Sequence, residues 1–162
     1  MKDILLKVVE TNNIPQWLML SHEFDLYINE LVGNLTQWYQ GNEKDIAFLD
    51  YMNAKITKKE AIMAIDNTNT GCLGIIAFSK TYNRITFFAV SHNADFESVS
   101  KMLIDYALSQ LDTYKQITVN VIKSDAEILC KERKVFSNYG FVLSNSELEN
   151  GVPVDKLCRV LA

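Results

Sequence analysis

The chain has 162 residues, of which 48% are apolar and 22% charged, and its formal net charge is -4 with a pI of about 5.2. The length fits one domain, residues 1–162, and the acidic balance gives no electrostatic reason to expect nucleic acid as a partner. Three widely spaced cysteines without a CxxC pair, together with only two histidines, argue against a disulfide framework and against a metal site. No apolar run approaches the ~20 residues that span a bilayer. We therefore expect a cytoplasmic protein with no bound metal and no membrane insertion.

The first half of the chain changes from helical to strand-like patterning. Apolar residues recur at helical spacing from Trp17 to Leu31, and Gly33 provides a stop. Three compact apolar runs follow a second, weaker helix, and their connections are too short for a crossover helix, so antiparallel strands are expected. The predicted elements are a strand at 4–9, helices at 17–31 and 48–56, and strands at 61–65, 72–78 and 85–90.

The second half alternates helices with strands. Helical spacing returns at Phe96, and branched residues alternate with polar ones in the strand after this helix. The predicted elements are a helix at 96–111, a strand at 116–122, a helix at 126–136 and two strands at about 141–144 and 157–161. The chain contains no internal repeat and no credible linker, which favours one α+β unit.

Two local motifs add to this order of elements. At 136–142 the chain reads Phe-Ser-Asn-Tyr-Gly-Phe-Val, where glycine turns the chain at a helix end and the following aromatic anchors the new strand. Phe-Phe-Ala-Val at 87–90 precedes a polar loop and a helix. Together with the element order, these motifs resemble the GNAT N-acyltransferase superfamily over essentially the whole chain. The resemblance implies a mostly antiparallel, mixed central sheet of about seven strands flanked by about four helices.

The resemblance also implies a function and a cofactor site. In this family an amine attacks acetyl-CoA, whose pantetheine arm lies between the splayed fourth and fifth strands. The pyrophosphate binds backbone N–H groups at the start of the third helix, where the helix dipole favours anions. By position, the implied cofactor-binding residues are Phe88, Ala89, Val90, Phe96, Glu97, Ser98, Val99, Ser100 and Lys101.

The cofactor loop departs from the family pattern of Gln or Arg, two residues, Gly, one residue, and Gly or Ala. Serines 98 and 100 occupy the glycine positions, and Asp95 replaces the leading basic or amide residue. Asp95 and Glu97 favour the helix start by ~0.3–1 kcal/mol each. They also repel a pyrophosphate, since two unit charges about 4 Å apart near a surface cost on the order of 4 kcal/mol. Lys101 is the nearest offsetting charge, and a capped helix without a ligand is the alternative interpretation.

Candidate catalytic groups are sparse. Many relatives have a proton-donating tyrosine at the position of Phe136, and Tyr139 is expected to point elsewhere. The implied candidates are Ser124, at the end of the fifth strand, and His92, just beyond the fourth, because histidine titrates near neutral pH and suits a general base. The alternative for His92 is a solvent-exposed loop histidine. Direct attack on a thioester needs mainly proximity and a polarised carbonyl, so the reaction survives the loss of one such group.

The acceptor in this family lies over the first two helices and the last strand pair. Candidate substrate-binding residues there are Tyr27, Trp38, Tyr39 and Asn120. Aromatic groups with acidic neighbours suit a cationic amine on a small molecule or a peptide. The alternatives are a core position for Tyr27 and pairing within the sheet for Asn120. The sequence does not identify the acceptor, and it does not distinguish a monomer from a homodimer.

Three functions follow, in order of preference. The first is an N-acetyltransferase that uses acetyl-CoA or a similar thioester. The second is a GNAT-like binding or regulatory domain without chemistry, which Asp95, Glu97 and Phe136 favour. The third is an unrelated α+β ligand-binding domain, which a sheet without splayed fourth and fifth strands would favour.

Overall fold

The computed structural model describes residues 3–32, 42–66, 71–123, 127–149 and 152–160. These residues form seven strands in one sheet, four α-helices and one short 3-10 helix. In chain order the elements are β1 (Ile4–Val8), the 3-10 helix (Thr11–Asn13), α1 (Ile14–Val32), α2 (Asn42–Thr57), β2 (Ala61–Asp66), β3 (Cys72–Ser79), β4 (Arg84–Val90), α3 (Phe96–Gln110), β5 (Ile117–Ile122), α4 (Glu127–Asn138), β6 (Phe141–Glu149) and β7 (Val152–Arg159). The predicted α+β architecture and strand number are confirmed.

The sheet has the strand order β1-β2-β3-β4-β5-β7-β6. Neighbouring strands are antiparallel except for β4 and β5, which are parallel and joined through the crossover helix α3. Their pairing consists of Arg84 with Thr118 and Ile85 with Val119. Since β4 continues to Val90 and β5 to Ile122, the two strands separate beyond these pairs. The predicted splay between the fourth and fifth strands is therefore present.

Helices cover both faces of the sheet. All six residues of β2 are buried, because alternate side chains enter opposite cores. Ile62 and Ala64 face the core that contains residues of α3 and α4, while Met63 and Ile65 face the core that contains Trp17 and Met52 of α1 and α2. This burial on both sides explains why β2 reads as an unbroken apolar run.

Gly74 sets the distance between α3 and the sheet. A Cβ built on Gly74 would lie 2.9 Å from Val99 Cγ1 and 3.0 Å from the backbone oxygen of Ala89. Real Cβ atoms do not approach this closely, so α3 packs directly on the backbone of β3. The first turn of α3 therefore lies beside the end of β4.

The junction between α4 and β6 has the predicted form. Gly140 adopts a positive φ of 92°, and Phe141 is 2% exposed. Phe136 is fully buried, and its ring centroid lies 5.4 Å from that of Phe141 in an edge-to-face contact. The glycine therefore makes the turn and the two aromatic rings anchor both elements in the core.

The last two strands are longer than the sequence pattern predicted. They span Phe141–Glu149 and Val152–Arg159, against predicted strands at 141–144 and 157–161, and they pair as far as Glu149 with Val152. The predicted strand ends were wrong because β6 is an edge strand of the sheet. Its side chains from Val142 to Leu148 are exposed, so an alternation of buried apolar residues is missing. Gly33, predicted to end α1, lies outside the described residues.

Candidate active site

A cleft of about 1020 Å³ lies beside the end of β4, between α3 and α4. Its walls come from the residues that follow β4, from the first turns of α3 and from one side of α4. Glu23 of α1 lies at its margin. Clefts of this volume suit a ligand of cofactor size.

The first turn of α3 presents backbone amides at this cleft. Asp95 precedes the helix in an extended conformation, and its side chain makes no capping hydrogen bond to the backbone. Its carboxylate instead accepts a hydrogen bond from the Ser98 hydroxyl at 2.8 Å. The first helical hydrogen bond runs from the Val99 N–H to the Asp95 carbonyl, at 3.0 Å. The N–H groups before Val99 have no partner within the helix, which is the arrangement that attracts anions.

Of the nine predicted cofactor-binding residues, eight divide into two groups, and the ninth, Ser98, is exposed and is not among the residues that line the cleft. The side chains that line the cleft are Val90, Phe96, Glu97 and Lys101. The side chains buried in the core are Phe88, Ala89, Val99 and Ser100. The second group can reach a ligand only through the main chain. The Ser100 hydroxyl is buried with no hydrogen-bond partner among the described residues, so it cannot replace the missing family glycine as a phosphate donor.

The main chain at the end of β4 also faces the cleft. The Ser91 N–H donates to the Leu73 carbonyl of β3 at 2.8 Å. Backbone groups of successive strand residues point to alternate sides. The N–H and C=O groups of Val90 and Phe88 therefore point away from β3, toward the side on which β5 has separated. This edge offers backbone donors and acceptors that β5 does not take up.

Two lysines of α4 add positive charge that sequence reasoning missed. Lys131 and Lys134, one helical turn apart, line the cleft together with Lys101 of α3. Lys131 Nζ lies 3.6 Å from Glu127 Oε1 on the same helix, and Lys101 Nζ lies 3.2 Å from Asp105 Oδ2. The helical spacing of apolar residues in α4 could have indicated them. Leu129 and Phe136 are on the buried side of this helix, which leaves both lysines outside the core. All three ammonium groups border the same cleft as Asp95 and Glu97.

Tyr139 lines the cleft, and the expectation that its hydroxyl points away from the thiolate stays a prediction. Its hydroxyl donates to Asp105 Oδ1 at 2.7 Å and so connects the end of α4 to α3. Burial raises the pKa of Tyr139, and the hydrogen bond with Asp105 and the charge of that carboxylate raise it further. The hydroxyl is therefore protonated throughout the neutral pH range.

His92 lies at the cleft and is held by Glu23. Glu23 Oε1 accepts the backbone N–H of His92 at 2.8 Å, lies within hydrogen-bond distance of His92 Nδ1, and also accepts the Ser91 hydroxyl at 3.2 Å. Partial burial acts to raise the pKa of Glu23, but the hydrogen bonds from His92 and Ser91, with the attraction of His92, outweigh it and lower the pKa overall. The result is an ionised carboxylate bound to an imidazole at the mouth of the cleft.

Phe136 and Asn120 are not among the residues that line the cleft. Phe136 is fully buried, with its ring centroid 5.2 Å from that of Phe88, so its position belongs to the core. The amide of Asn120 lies 3.4 Å from Glu147 Oε1. Ser124, Trp38 and Tyr39 lie outside the described residues, as does the side chain of Tyr27 in α1.

No group of three or more His, Cys, Asp or Glu side chains in the described part of the chain is placed to hold a metal ion. None of the helices, as far as they are described, combines the length and apolar character needed to cross a membrane.

Comparison with solved structures gives extensive matches. A GNAT-family acetyltransferase from Bacillus cereus superposes with a TM-score of 0.67 over 99% of both chains, at 14% sequence identity. The chain has the GNAT fold. Arabidopsis thaliana Naa50, in complex with the bisubstrate analogue CoA-Ac-MVNAL, matches this GNAT fold with a TM-score of 0.65 and 16% identity over 98% of this chain and 99% of its own.

A third GNAT-fold match is YncA from Salmonella typhimurium, a putative acetyltransferase solved with acetyl-CoA. Its TM-score is 0.64 at 7% identity, over 98% of this chain and 94% of the YncA chain. No protein-family model and no curated protein matches the sequence. The likeness at this identity concerns the GNAT fold, so function has to be argued from the cleft.

Proposed function

We propose that this protein is an N-acetyltransferase that transfers the acetyl group of acetyl-CoA to an amine. One observation carries the proposal: the first-turn amides of α3 are not capped by the Asp95 side chain, and they lie at a cleft beside the end of β4, a strand that separates from β5 beyond Ile85. GNAT-fold structures with acetyl-CoA or a CoA-based analogue provide additional support.

The residues around the cleft match the chemical parts of the cofactor. The diphosphate binds the backbone amides at the start of α3, and the ammonium groups of Lys101, Lys131 and Lys134 supply the opposing charge. The amide groups of the pantetheine arm pair with the outward-facing main chain of Phe88 and with the Val90 carbonyl, which leaves the Val90 N–H for the thioester. Asp95 and Glu97 oppose the diphosphate, so we expect weak and salt-sensitive binding.

The transfer itself is a direct attack. The amine nitrogen bonds to the thioester carbonyl carbon, the carbon–sulfur bond breaks and CoA leaves as a thiolate. The Val90 N–H polarises the carbonyl oxygen, and His92 accepts the proton that the amine loses. Phe136 has no proton for the thiolate, and Ser124, which follows β5, remains the candidate hydroxyl near the sulfur.

The acceptor is an amine on a small molecule or a peptide. Tyr27, Trp38, Tyr39 and Asn120 remain the candidate residues for binding a cationic amine. The contact of Glu23 with His92 supports an acceptor site beside α1, because it connects that helix to the cleft.

Two measurements test the proposal. Millimolar acetyl-CoA should raise the melting temperature, and a panel of primary amines should release thiol from acetyl-CoA and yield acetylated products detectable by mass. His92→Ala should keep the thermal shift and lower the release of thiol by about 10²-fold, the low end for loss of a general base. If acetyl-CoA produces no thermal shift, the proposal fails at its first step.

A second function has a specific observation in its favour. Phe136 is fully buried among aromatic rings, so the family's proton donor is absent and a GNAT-fold module that binds acyl-CoA without turnover is the competing candidate. A thermal shift with acetyl-CoA, but no thiol release with any amine above that of the His92→Ala variant, would favour this module over the enzyme.

A further inference from the structure

We infer that Glu23 is a positioning residue for His92: its carboxylate holds the imidazole with the proton on Nδ1, which leaves Nε2 as the free base at the cleft. The catalytic meaning of this arrangement rests on the proposed acetyl transfer. The arrangement itself concerns the protein without any ligand and is measurable on its own.

The contact joins residues far apart in the chain. Glu23 belongs to α1, His92 follows β4, and 69 positions separate them. A single oxygen, Glu23 Oε1, meets the His92 backbone N–H at 2.8 Å, the His92 Nδ1 atom and the Ser91 hydroxyl at 3.2 Å. The backbone hydrogen bond holds that oxygen beside the ring, so the contact with Nδ1 is not an isolated surface encounter.

The chemistry of the carboxylate determines where the imidazole proton lies. The hydrogen bonds that lower the pKa of Glu23 keep it ionised at neutral pH, despite partial burial. An ionised carboxylate only accepts hydrogen bonds, so the Nδ1 atom facing it must carry the proton. In the neutral ring the lone pair is then on Nε2, the nitrogen that a general base uses.

The surroundings of the ring leave Nε2 accessible. His92 has 64% of its side chain exposed, and Nε2 makes no hydrogen bond to any described residue. The other charged groups that line this end of the cleft are Asp95, Glu97 and Lys101. Cys72 of β3 also interacts electrostatically with Glu23, and burial raises the pKa of its thiol to about 12, so it stays neutral.

This arrangement distinguishes a catalytic histidine from an ordinary loop histidine. A loop histidine would exchange between its two tautomers and rotate freely. Here α1, the helix on the proposed acceptor side, provides the group that sets the tautomer of the base beside the proposed cofactor cleft. Residues that only orient a base act through it, so the effect of Glu23 should disappear when His92 is absent.

Nitrogen-15 NMR of the ligand-free protein tests the tautomer. The chain has two histidines, so a His22→Gln variant assigns the signals. At a pH where the ring is neutral, we expect the Nδ1–H form of His92 in the wild type and in Glu23→Gln, whose amide oxygen also accepts from His92. Glu23→Ala should lose this preference. An Nε2–H form in the wild type, or an unchanged tautomer in Glu23→Ala, would overturn the inference.

A kinetic cycle tests the positioning role. Glu23→Ala should lower kcat by about 10²-fold with little change in the KM for acetyl-CoA, and Glu23→Gln should lose less. In a protein that already carries His92→Ala, the Glu23→Ala change should lower kcat by less than a further threefold. If Glu23→Ala lowers kcat in the His92→Ala variant as much as it does in the wild type, the inference is contradicted. Absence of turnover in the wild type would sink the proposed function instead, and the NMR result would then decide the positioning alone.

Discussion

Gly74 and Val99 are packed so closely that a Cβ on Gly74 would lie 2.9 Å from Val99 Cγ1. The same atom would lie 3.1 Å from Leu103 Cδ1, so it would contact two successive turns of α3. Since the first turn of α3 carries the amides proposed to bind the diphosphate, the size of residue 74 sets the geometry of the cofactor site.

Gly74→Ala should therefore reduce both stability and acetyl-CoA affinity. Overpacking a close contact costs about 1–3 kcal/mol, measured as the free energy of unfolding in urea, and displacement of α3 should weaken binding. Gly71→Ala is the matched control, because a Cβ there meets nothing within 4 Å, and it should change stability by less than about 0.5 kcal/mol. Equal effects of the two substitutions would contradict this account of the packing.

Neutralising the acidic helix start should strengthen binding. Asp95→Asn keeps the oxygen that accepts the Ser98 hydroxyl and removes the charge, and Glu97→Gln removes the second charge. We expect a roughly threefold to tenfold decrease in the Kd of CoA for each, larger at low salt, measured by calorimetry. Asp50→Asn, on the exposed side of α2, is the control for net charge. Weaker binding in both variants would mean that the diphosphate lies elsewhere.

Removing a lysine of α4 should have the opposite effect. Lys134→Gln should raise the Kd of CoA by roughly twofold to fivefold and make binding less dependent on salt, since an exposed charge pair contributes about 1 kcal/mol at most. Lys58→Gln, an exposed lysine beyond α2, carries the same charge change away from the cleft. If the two variants bind CoA equally well, α4 does not contact the cofactor.

Glu132 should make stability depend on pH. Burial of this carboxyl raises its pKa from 4.5 to about 8, because the charged form is poorly solvated in the core. Below pH 4.5 the folded and unfolded states are both protonated, and between 4.5 and 8 only the unfolded state ionises. Its contribution to stability is therefore complete in acid and is lost as the pH rises toward 8.

Glu132→Gln should remove this dependence. Relative to wild type, the variant should gain stability steadily from pH 5 to pH 8, by on the order of 4 kcal/mol at the upper end. Glu127→Gln, an exposed glutamate on the same helix, should follow the wild-type curve. Parallel unfolding curves for wild type and Glu132→Gln across this range would show that the carboxyl is not held neutral.

Much of the fold could be predicted from the sequence because its signals are local. The apolar period identifies α1 and α3, and the unbroken run of β2 reflects burial on both faces. The glycine with positive φ at 140 is likewise visible in a short motif. The polar half of β6 was missed because an edge strand with exposed side chains lacks the apolar alternation of a half-buried one.

The site was less predictable because its important contacts are between distant residues. His92 was a candidate by position, but its partner Glu23 is one of several acidic residues in α1, and no local pattern pairs it with His92. Only the packing of α1 against the end of β4 brings the two together. Lys131 and Lys134 were missed for a related reason, since the side of α4 that faces the cleft depends on how α4 docks on the sheet.

The brief pairing of β4 with β5 has a consequence for how the protein unfolds. The sheet consists of β1 to β4 on one side and β5, β7 and β6 on the other, and Arg84–Thr118 and Ile85–Val119 are the strand pairs that join them. A molecule bound between β4 and β5 would contact both parts of the sheet and would link them where few strand pairs do. Ligand should therefore make the unfolding transition more cooperative as well as shifting its midpoint, because the two parts then lose structure together.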